Sequence, residues 1–298
     1  MKPYRIVLVA ALVAPSCALA GTPIDQSRPL VADGRVRIEN VKGSVQVRTW
    51  DRPQVHVGGS LGDGVKQLLV EGGDRSVRIK VEYPQGGGWF GGNHAEPSDL
   101  IIDMPVGADL DVDVVSADVD VTGVAGRHLS IDSVSGRVNA QGTPAQADLE
   151  SVSGDVVATL ESPDLKASSV SGGLRVRTPA GGEIELETVS GDINVEAGTV
   201  KRLGLESVSG SAQAQLQGLT AGGRIKGETL SGRLSLSLPA ATSAALNIST
   251  FSGAIRSSVG EVKRERYGPG ASLEARLGEG DGKIELESFS GEVRFDLR

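Results

Sequence analysis

The sequence has little of what metal sites, redox centres and nucleic-acid-binding surfaces require. It contains one cysteine and three histidines in 298 residues, and aromatic residues make up only 3% of the chain. The histidines His56, His94 and His128 lie far apart, and no HExxH or paired-cysteine spacing occurs. The formal net charge of −8 disfavours binding to a phosphate backbone. We therefore expect no metal, no cofactor and no nucleic-acid partner.

The first twenty residues carry the pattern of a secretory signal peptide. Lys2 and Arg5 precede the apolar run IVLVAALVA, which leads to an Ala-x-Ala pattern ending at Ala20. Cleavage there would remove both basic residues and the only cysteine, leaving 28 basic and 38 acidic residues and a formal charge of −10. Cys17 is a poor acceptor for a lipid anchor because Pro15 occupies a position where lipoproteins have a small residue. The sequence predicts an exported protein, periplasmic or at the cell surface, without a transmembrane helix after cleavage.

A Ser-Val-Ser-Gly motif recurs, with close variants, at intervals of 18 to 22 residues and one final interval of 38. Self-similarity at such a period indicates a stacked array. Apolar and polar residues alternate on both sides of the motif, as in LESVSGDVVA and LETVSGDINV, which is typical of strands. We interpret each period as two short strands joined at a Ser-Gly corner.

These features predict an all-β protein, a single-stranded β-solenoid (β-helix-like) of roughly 18–22-residue coils, in which the interval of 38 represents two coils of 19. The glycine would allow a bend or a positive φ at the corner, and the serines could form hydroxyl ladders between coils. The predicted corner pairs are Ser135 and Gly136, Ser153 and Gly154, Ser171 and Gly172, Ser190 and Gly191, Ser209 and Gly210, Ser231 and Gly232, Ser252 and Gly253, and Ser290 and Gly291.

The residue before each corner serine forms an apolar column whose direction is the main open question. The column consists of Val134, Val152, Val170, Val189, Val208, Leu230, Phe251 and Phe289. It is out of phase with the column of Leu149, Leu186, Leu205 and Leu286, which we place in the core. We favour an inward direction, because a corner that turns the chain could rotate these side chains toward the core. Otherwise they form an exposed apolar stripe, which would mark a binding or assembly face.

Acidic residues repeat in two patterns. Asp109, Asp111 and Asp113 alternate along one strand, but residues two apart on a strand are about 6.8 Å apart and do not close around a calcium ion. We expect them on a solvated face. A second column consists of Glu150, Glu187, Glu206 and Glu287. Clustered carboxylates could cleave a polysaccharide, but an outward row that keeps the protein soluble is the simpler interpretation.

The segments VRIENVKGSVQVRTW and DLIIDMPVGADLDVDVVSADVDVTG, together with the Val-Ser-Gly-Asp-Ile/Val repeats, resemble the bacterial putative-adhesin family, a domain of unknown function. The resemblance covers about residues 35–298. It implies a β-solenoid fold and an exported or membrane-tethered protein, and it supplies no catalytic residues.

The domain organisation follows from these patterns. Residues 1–20 are the signal peptide, residues 21–35 a flexible lead-in, and residues 36–298 the solenoid, with loop insertions near 84–99 and 254–283. The loops carry the candidate binding residues Trp89, Phe90, His94, Lys263, Arg264 and Arg266.

The sequence thus predicts a non-catalytic, adhesin-like binding or scaffold protein of the cell envelope, whose partner is an unknown envelope protein or glycan. The alternatives are a polysaccharide-active β-helix enzyme and a periplasmic structural spacer in an envelope-stress system.

Overall fold

The structure is a computed structural model that describes residues 21–84, 95–264, 266 and 268–298. The prediction of an all-β protein is confirmed. The described segments contain 23 strands, and their hydrogen bonds link them into one sheet of mixed parallel and antiparallel pairs. In these segments there is no helix of the length and apolarity needed to cross a membrane.

The strands, in chain order, are β1 (Thr22–Pro29), β2 (Arg35–Trp50), β3 (Gln54–Leu61), β4 (Gln67–Gly73), β5 (Ser76–Glu82), β6 (Ser98–Pro105), β7 (Asp109–Val124), β8 (His128–Ser133), β9 (Val138–Gly142), β10 (Gln146–Ser151), β11 (Val156–Leu160), β12 (Asp164–Ser169), β13 (Leu174–Thr178), β14 (Gly182–Thr188), β15 (Ile193–Ser207), β16 (Ala212–Thr229), β17 (Leu234–Leu238), β18 (Ala244–Thr250), β19 (Ile255–Ser257), β20 (Lys263–Arg264), β21 (Ala271–Leu277), β22 (Gly282–Ser288) and β23 (Val293–Leu297).

The strands stack in two layers, which we call the front and the rear. In the middle of the molecule the front layer consists of the first half of β7, then β8, β10, β12 and β14, and the second half of β15. The rear layer consists of the second half of β7, then β9, β11 and β13, and the first half of β15. All of these neighbours are parallel. Each coil therefore contributes one strand to each layer, and the Ser-Gly corner joins them.

A narrow aliphatic core lies between the layers. Leu149 and Leu186 point inward from the front layer, and Val156 and Ile193 point inward from the rear, all with no exposed surface. Alternation along each strand places the intervening residues outside. A core two side chains deep has little room for rings, which accounts for the low aromatic content; Phe295 is fully buried near one end.

The corner glycines are required by close approach between coils. A Cβ atom on Gly172 would overlap the carbonyl oxygen of Gly154, and one on Gly154 would overlap that of Gly136. None of the eight corner glycines has a positive φ. A positive φ therefore does not explain why these positions are glycine. Glycine is required because the stacked backbones leave no space for a Cβ atom.

The last coil is inserted between two earlier ones. Strand β22 pairs in parallel with β16 on one side and with β18 on the other. Strand β23 likewise lies between β17 and β19. The prediction that the interval of 38 represents two successive coils is therefore wrong. Strand β21 is antiparallel to β18, and β20 pairs antiparallel to β21. The expected loop at 254–283 thus contains three strands and the start of a fourth.

The N-terminal end also departs from simple stacking. Strand β2 lies between β7 and the strands β5 and β6, all parallel to it. Strands β4 and β3 pair antiparallel to β5 and β6, respectively. The segment 21–35, which we expected to be a flexible lead-in, instead contains β1, paired antiparallel with β3 along its full length. Ile24 and Leu30 bury their side chains there, which ties this segment down.

Candidate functional site

The column of apolar residues before the corner serines is exposed. Its side chains retain between 44 and 57% of their accessible surface, so the expected inward direction is wrong. Strict alternation continues into the corner, which places Ser151 inside and Val152 outside. The inner hydroxyl is satisfied locally, because Ser151 Oγ donates to the carbonyl oxygen of Gly154 at 2.7 Å.

The exposed column runs without interruption along the molecule, and we call it the apolar stripe. Two residues missed in the sequence extend it, since Val41 and Val115 are also exposed and adjacent. In spatial order the stripe consists of Val41, Val115, Val134, Val152, Val170, Val189, Val208, Leu230, Phe289 and Phe251. Ten side chains at the strand spacing of about 4.8 Å extend over roughly 43 Å. Such a continuous apolar surface is unusual on a soluble domain.

The stripe broadens at its C-terminal end. The rings of Phe251 and Phe289 stack with centroids 4.9 Å apart and an interplanar angle of 8°. They are neighbours only because β22 is inserted beside β18. The insertion therefore keeps the stripe continuous where the chain order is broken.

A second column, which we call the acidic ladder, runs beside the stripe on the front layer. Its members lie two residues before the stripe residues and face the same way, about 6.6 Å away along the strand. The ladder contains Glu39, Asp113, Asp132, Glu150, Glu187, Glu206, Glu228 and Glu287, with Ser168 between Glu150 and Glu187 and Ser249 after Glu287. The carboxylates form a row along the stack, interrupted at Ser168, rather than converging on a point. Stripe and ladder together line a shallow groove of about 1500 Å³.

The ladder carries mutual repulsion in its middle. Partial desolvation and the negative charges of Asp113 and Glu150 raise the pKa of Asp132. Desolvation and the charges of Glu206 and Glu185 likewise raise the pKa of Glu187. Among the described residues, no lysine or arginine forms an ion pair with Asp132, Glu150, Glu187 or Glu287.

The N-terminal end of the ladder is compensated. Glu39 pairs with Lys80 at 3.2 Å and with Arg78 at 2.5 Å, both from β5. Burial alone would raise the pKa of Glu39, but the hydrogen bonds and charges of Arg78 and Lys80 outweigh it and lower that pKa. Arg37 pairs with Asp113 at 2.8 Å. Further along, Lys226 pairs with Glu228 at 2.9 Å and with Glu206 at 4.0 Å. The uncompensated part of the ladder is therefore its middle, from Asp132 to Glu187.

The outer corner serines serve coil-to-coil contact. Ser153 Oγ donates to the carbonyl oxygen of Val134 at 3.1 Å, and Ser209 Oγ to that of Val189 at 3.2 Å. Within the described segments, Ser135 is the only corner serine whose hydroxyl bonds to another hydroxyl, Ser116 Oγ at 3.2 Å. The serines thus bond mainly to backbone instead of forming the expected hydroxyl ladder.

Of the loop residues proposed from the sequence, those that the structure describes do not line the groove. Trp89, Phe90 and His94 lie outside the described residues. Lys263 and Arg264 form the exposed strand β20 on the outer side of β21, and Arg266 is exposed just beyond it.

One of the alternating aspartates is structural. Asp109 is buried rather than solvated, and its Oδ1 accepts hydrogen bonds from the amides of Arg127 and His128 at 2.9 and 3.1 Å. This carboxylate fixes the turn before β8. Over residues 21–84 and 95–298, apart from 265 and 267, no cluster of three or more histidine, cysteine or acidic residues is arranged to hold a metal ion.

Comparison with known proteins identifies similar chains. A model of the family described as Toastrack DUF4097 matches residues 34–296. No curated protein matches the chain. A structure from Parabacteroides distasonis called a putative lipid binding protein is 10% identical, with a TM-score of 0.55, and the match covers 93% of this chain and 98% of that one.

Two other structures are less similar in shape. A putative adhesin from Parabacteroides distasonis is 12% identical, with a TM-score of 0.47, covering 92% of this chain and 97% of that one. A putative cell adhesion protein from Clostridium sporogenes is 10% identical, with a TM-score of 0.20, covering 93% of this chain and 100% of that one. At these identities the likeness of the first structure supports the fold and nothing more.

Proposed function

The chain belongs to the Toastrack DUF4097 family, and from that premise we propose that it is an exported, non-catalytic binding or scaffold protein of the cell envelope whose binding surface is the apolar stripe. The observation that carries the proposal is the exposure of ten consecutive apolar side chains, each between 39 and 57% exposed. Keeping them in water forfeits the hydrophobic stabilisation that a covered surface would provide. A partner that covers the stripe would recover it.

Export is supported by the charged and apolar pattern of residues 1–20 and the Ala-x-Ala pattern ending at Ala20. A chain with a formal charge of −10 after cleavage would remain soluble in the envelope and avoid nucleic acid.

Catalysis is not the function that this groove favours. Neighbouring ladder carboxylates such as Glu187 and Glu206 sit on adjacent strands and point the same way. A glycosidase pair instead flanks its substrate from two sides. The role of a structural spacer would use the stacked coils but would leave the stripe unexplained.

Lipid binding is a second candidate. The apolar stripe favours it, and the similar Parabacteroides distasonis protein is named for lipid binding. The acidic ladder opposes contact with an anionic bilayer, because like charges would be brought together. A neutral lipid or a single acyl chain would avoid that cost.

The two loops remain proposed secondary contacts. Trp89, Phe90 and His94 would supply aromatic contacts to a protein or glycan. Lys263 and Arg264 would contact an anionic envelope polymer.

The proposal is tested by changing the stripe without changing its shape. The variant Val152→Thr, Val170→Thr and Val189→Thr keeps β-branched side chains at exposed positions, so the fold should be preserved. The variant and the wild type are each immobilised and exposed to envelope extract. We expect the variant to bind at least tenfold less envelope protein, glycan or lipid than the wild type. Val157→Thr, a partly exposed valine on the rear layer, is the control.

Equal retention by the stripe variant and the wild type would contradict the proposal. Vesicles of neutral lipid, tested by co-sedimentation with the same variants, distinguish lipid from protein or glycan as the partner.

A further inference from the structure

The acidic ladder and the apolar stripe form one amphipathic surface. Glu150 and Val152, like Glu187 and Val189, lie two residues apart on the same face of a strand. Both columns line the same shallow groove. An occupant that covers the stripe must therefore also lie against the ladder, so its chemistry has to suit both.

The charge of the ladder selects a cationic occupant. Asp132, Glu150 and Glu187 form no ion pair with a lysine or arginine among the described residues. Desolvation, together with neighbouring negative charges, raises the pKa of Asp132 and of Glu187. A positive charge placed against them would relieve this repulsion. An anionic lipid surface would add to it. A second copy of this chain would bring another strongly acidic protein, with a formal charge of −10 after cleavage, against the groove.

The spacing of the stripe selects the shape of the occupant. Stripe residues repeat every 4.8 Å or so, close to the roughly 5.4 Å rise of one α-helical turn. An extended peptide along the groove would present same-face side chains about 6.8 Å apart. This repeat differs more from the 4.8 Å or so of the stripe than the repeat of a helix does. A helix is about 10 Å across, wide enough to rest its apolar face on the stripe and its flank against the ladder. About 29 helical residues would cover the 43 Å or so of the stripe.

We propose that the groove binds an amphipathic α-helix with an apolar face and a flank of lysine or arginine residues, lying along the apolar stripe with its basic flank on the acidic ladder. This inference rests on the proposed function and names the class of its partner. It is the helix-in-groove mode of recognition, with apolar anchors supplied at successive turns. The stacked rings of Phe251 and Phe289 provide the broadest apolar contact, at the C-terminal end of the stripe.

The test uses a synthetic 28-residue helix of leucine and lysine with all leucines on one face, labelled for fluorescence anisotropy. A leucine–glutamine helix of the same pattern is the uncharged control probe. We expect the lysine helix to bind at least tenfold more tightly than the glutamine helix, and its affinity to fall as salt rises from 50 mM to 500 mM. Equal affinity of the two helices would overturn the proposal.

The protein variants locate the contact. The ladder variant Asp132→Asn, Glu150→Gln and Glu187→Gln should weaken lysine-helix binding at least tenfold and leave glutamine-helix binding unchanged. The control variant Asp120→Asn and Glu196→Gln removes exposed acids from the rear layer and should bind like the wild type. If the ladder and control variants behave alike, the ladder is not the contact and the proposal fails.

Two further outcomes separate this inference from the proposed function. If the lysine helix does not bind while the stripe variant Val152→Thr, Val170→Thr and Val189→Thr still loses its envelope partner, the cationic-helix proposal is wrong and the binding function stands. If size-exclusion chromatography shows a dimer that the same stripe variant abolishes, the groove is occupied by a second copy, which also overturns this inference.

Discussion

Between Asp109 and Thr229 the strands stack in the order in which the chain makes them, whereas at both ends they do not. In the middle, β10 lies between β8 and β12, each a single coil away. At the C-terminal end β22 enters between β16 and β18, and at the N-terminal end β2 lies between β5 and β7. The corner packing at the C-terminal end is nevertheless the same as in the middle, because a Cβ atom on Gly291 would overlap the carbonyl oxygen of Gly232.

This difference shows that the position of a coil in the stack depends on whether its residues match the columns of its neighbours. Its place in the sequence does not determine that position. The inserted coil supplies a glycine, a buried Ser288 and an exposed Phe289 in register with Thr229 and Leu230. The ends are then closed by the antiparallel strands β21, β4 and β1. Irregular closing strands protect a stack from adding further chains at its edge.

The largest effect is expected from a crosslink that reports the order of the coils. In a background of Cys17→Ser, Leu230→Cys with Phe289→Cys places two cysteines on adjacent strands. Their Cα atoms would be about 4.8 Å apart, which is within the Cα–Cα range of a disulfide. Leu230→Cys with Phe251→Cys separates them by about 9.6 Å, which is too far. We expect essentially complete oxidation of the first pair and little of the second, measured by titration of free thiols after denaturation. Oxidation of the second pair instead would mean that the coils stack in the order of the sequence, with no insertion of β22.

The next largest effect should come from the corner glycines, which the two regions share. Gly172→Ala in the middle and Gly291→Ala in the inserted coil both force a methyl group against a backbone carbonyl. Each should lower the free energy of unfolding by about 1–3 kcal/mol or more, because backbone cannot move aside as a side chain can. Urea denaturation measures the change.

The neighbouring Gly173 provides the matched control. A Cβ atom there would lie 3.5 Å from Asp155 Oδ1 and 3.6 Å from the carbonyl oxygen of Asp192, which are ordinary contacts. Gly173→Ala should therefore be close to neutral. If it costs as much as Gly172→Ala, close approach between coils is not the reason for the corner glycine.

The smallest effects should have opposite signs in the two regions of the ladder. The fold lowers the pKa of Glu39 and raises that of Glu187. Above the ordinary carboxyl pKa of about 4, Glu39→Gln should therefore destabilise the protein and Glu187→Gln should stabilise it, each by a few tenths of a kcal/mol to about 1 kcal/mol.

The pH dependence checks these signs. A lowered pKa contributes stability that is lost as the pH falls through the folded value, and a raised pKa carries a cost that disappears below the unfolded value. Both differences should therefore shrink in thermal melts as the pH is lowered from 7, and the Glu187 difference should disappear at a higher pH than the Glu39 difference. Shifts of the same sign at pH 7 would contradict the difference in compensation between Glu39 and Glu187.

Much of the fold could be predicted from the sequence, because the repeat expresses what stacking requires. Three features are recognisable without the structure, and each has one physical cause. The glycine column reflects the close approach of stacked backbones, the Leu149 column reflects the buried core, and the alternation reflects the two faces of a strand. The insertion of β22 could not be predicted. The motifs around Leu230, Phe251 and Phe289 satisfy the same columns, so the pattern does not specify which of them are neighbours. The stacked phenylalanines were the available signal, since two rings in one column favour adjacency.

The direction of the stripe was the part of the site that the sequence left open. Val152 follows a serine that looks polar and outward but is buried, with its hydroxyl bonded to the corner backbone. Small hydroxyl residues can occupy either side of a strand when the backbone satisfies them. Continuing the alternation from Leu149 through the corner would have placed Val152 outside, together with Glu150.

The most direct test of the account is the reactivity of two adjacent cysteines with maleimide. In the Cys17→Ser background, Val170→Cys should be labelled rapidly, because the side chain at 170 is 46% exposed, and Ser169→Cys should be labelled at least a hundredfold more slowly, because the side chain at 169 is buried. Protection of position 170 with rapid labelling of position 169 would mean that the apolar column faces the core, and the binding surface described above would not exist.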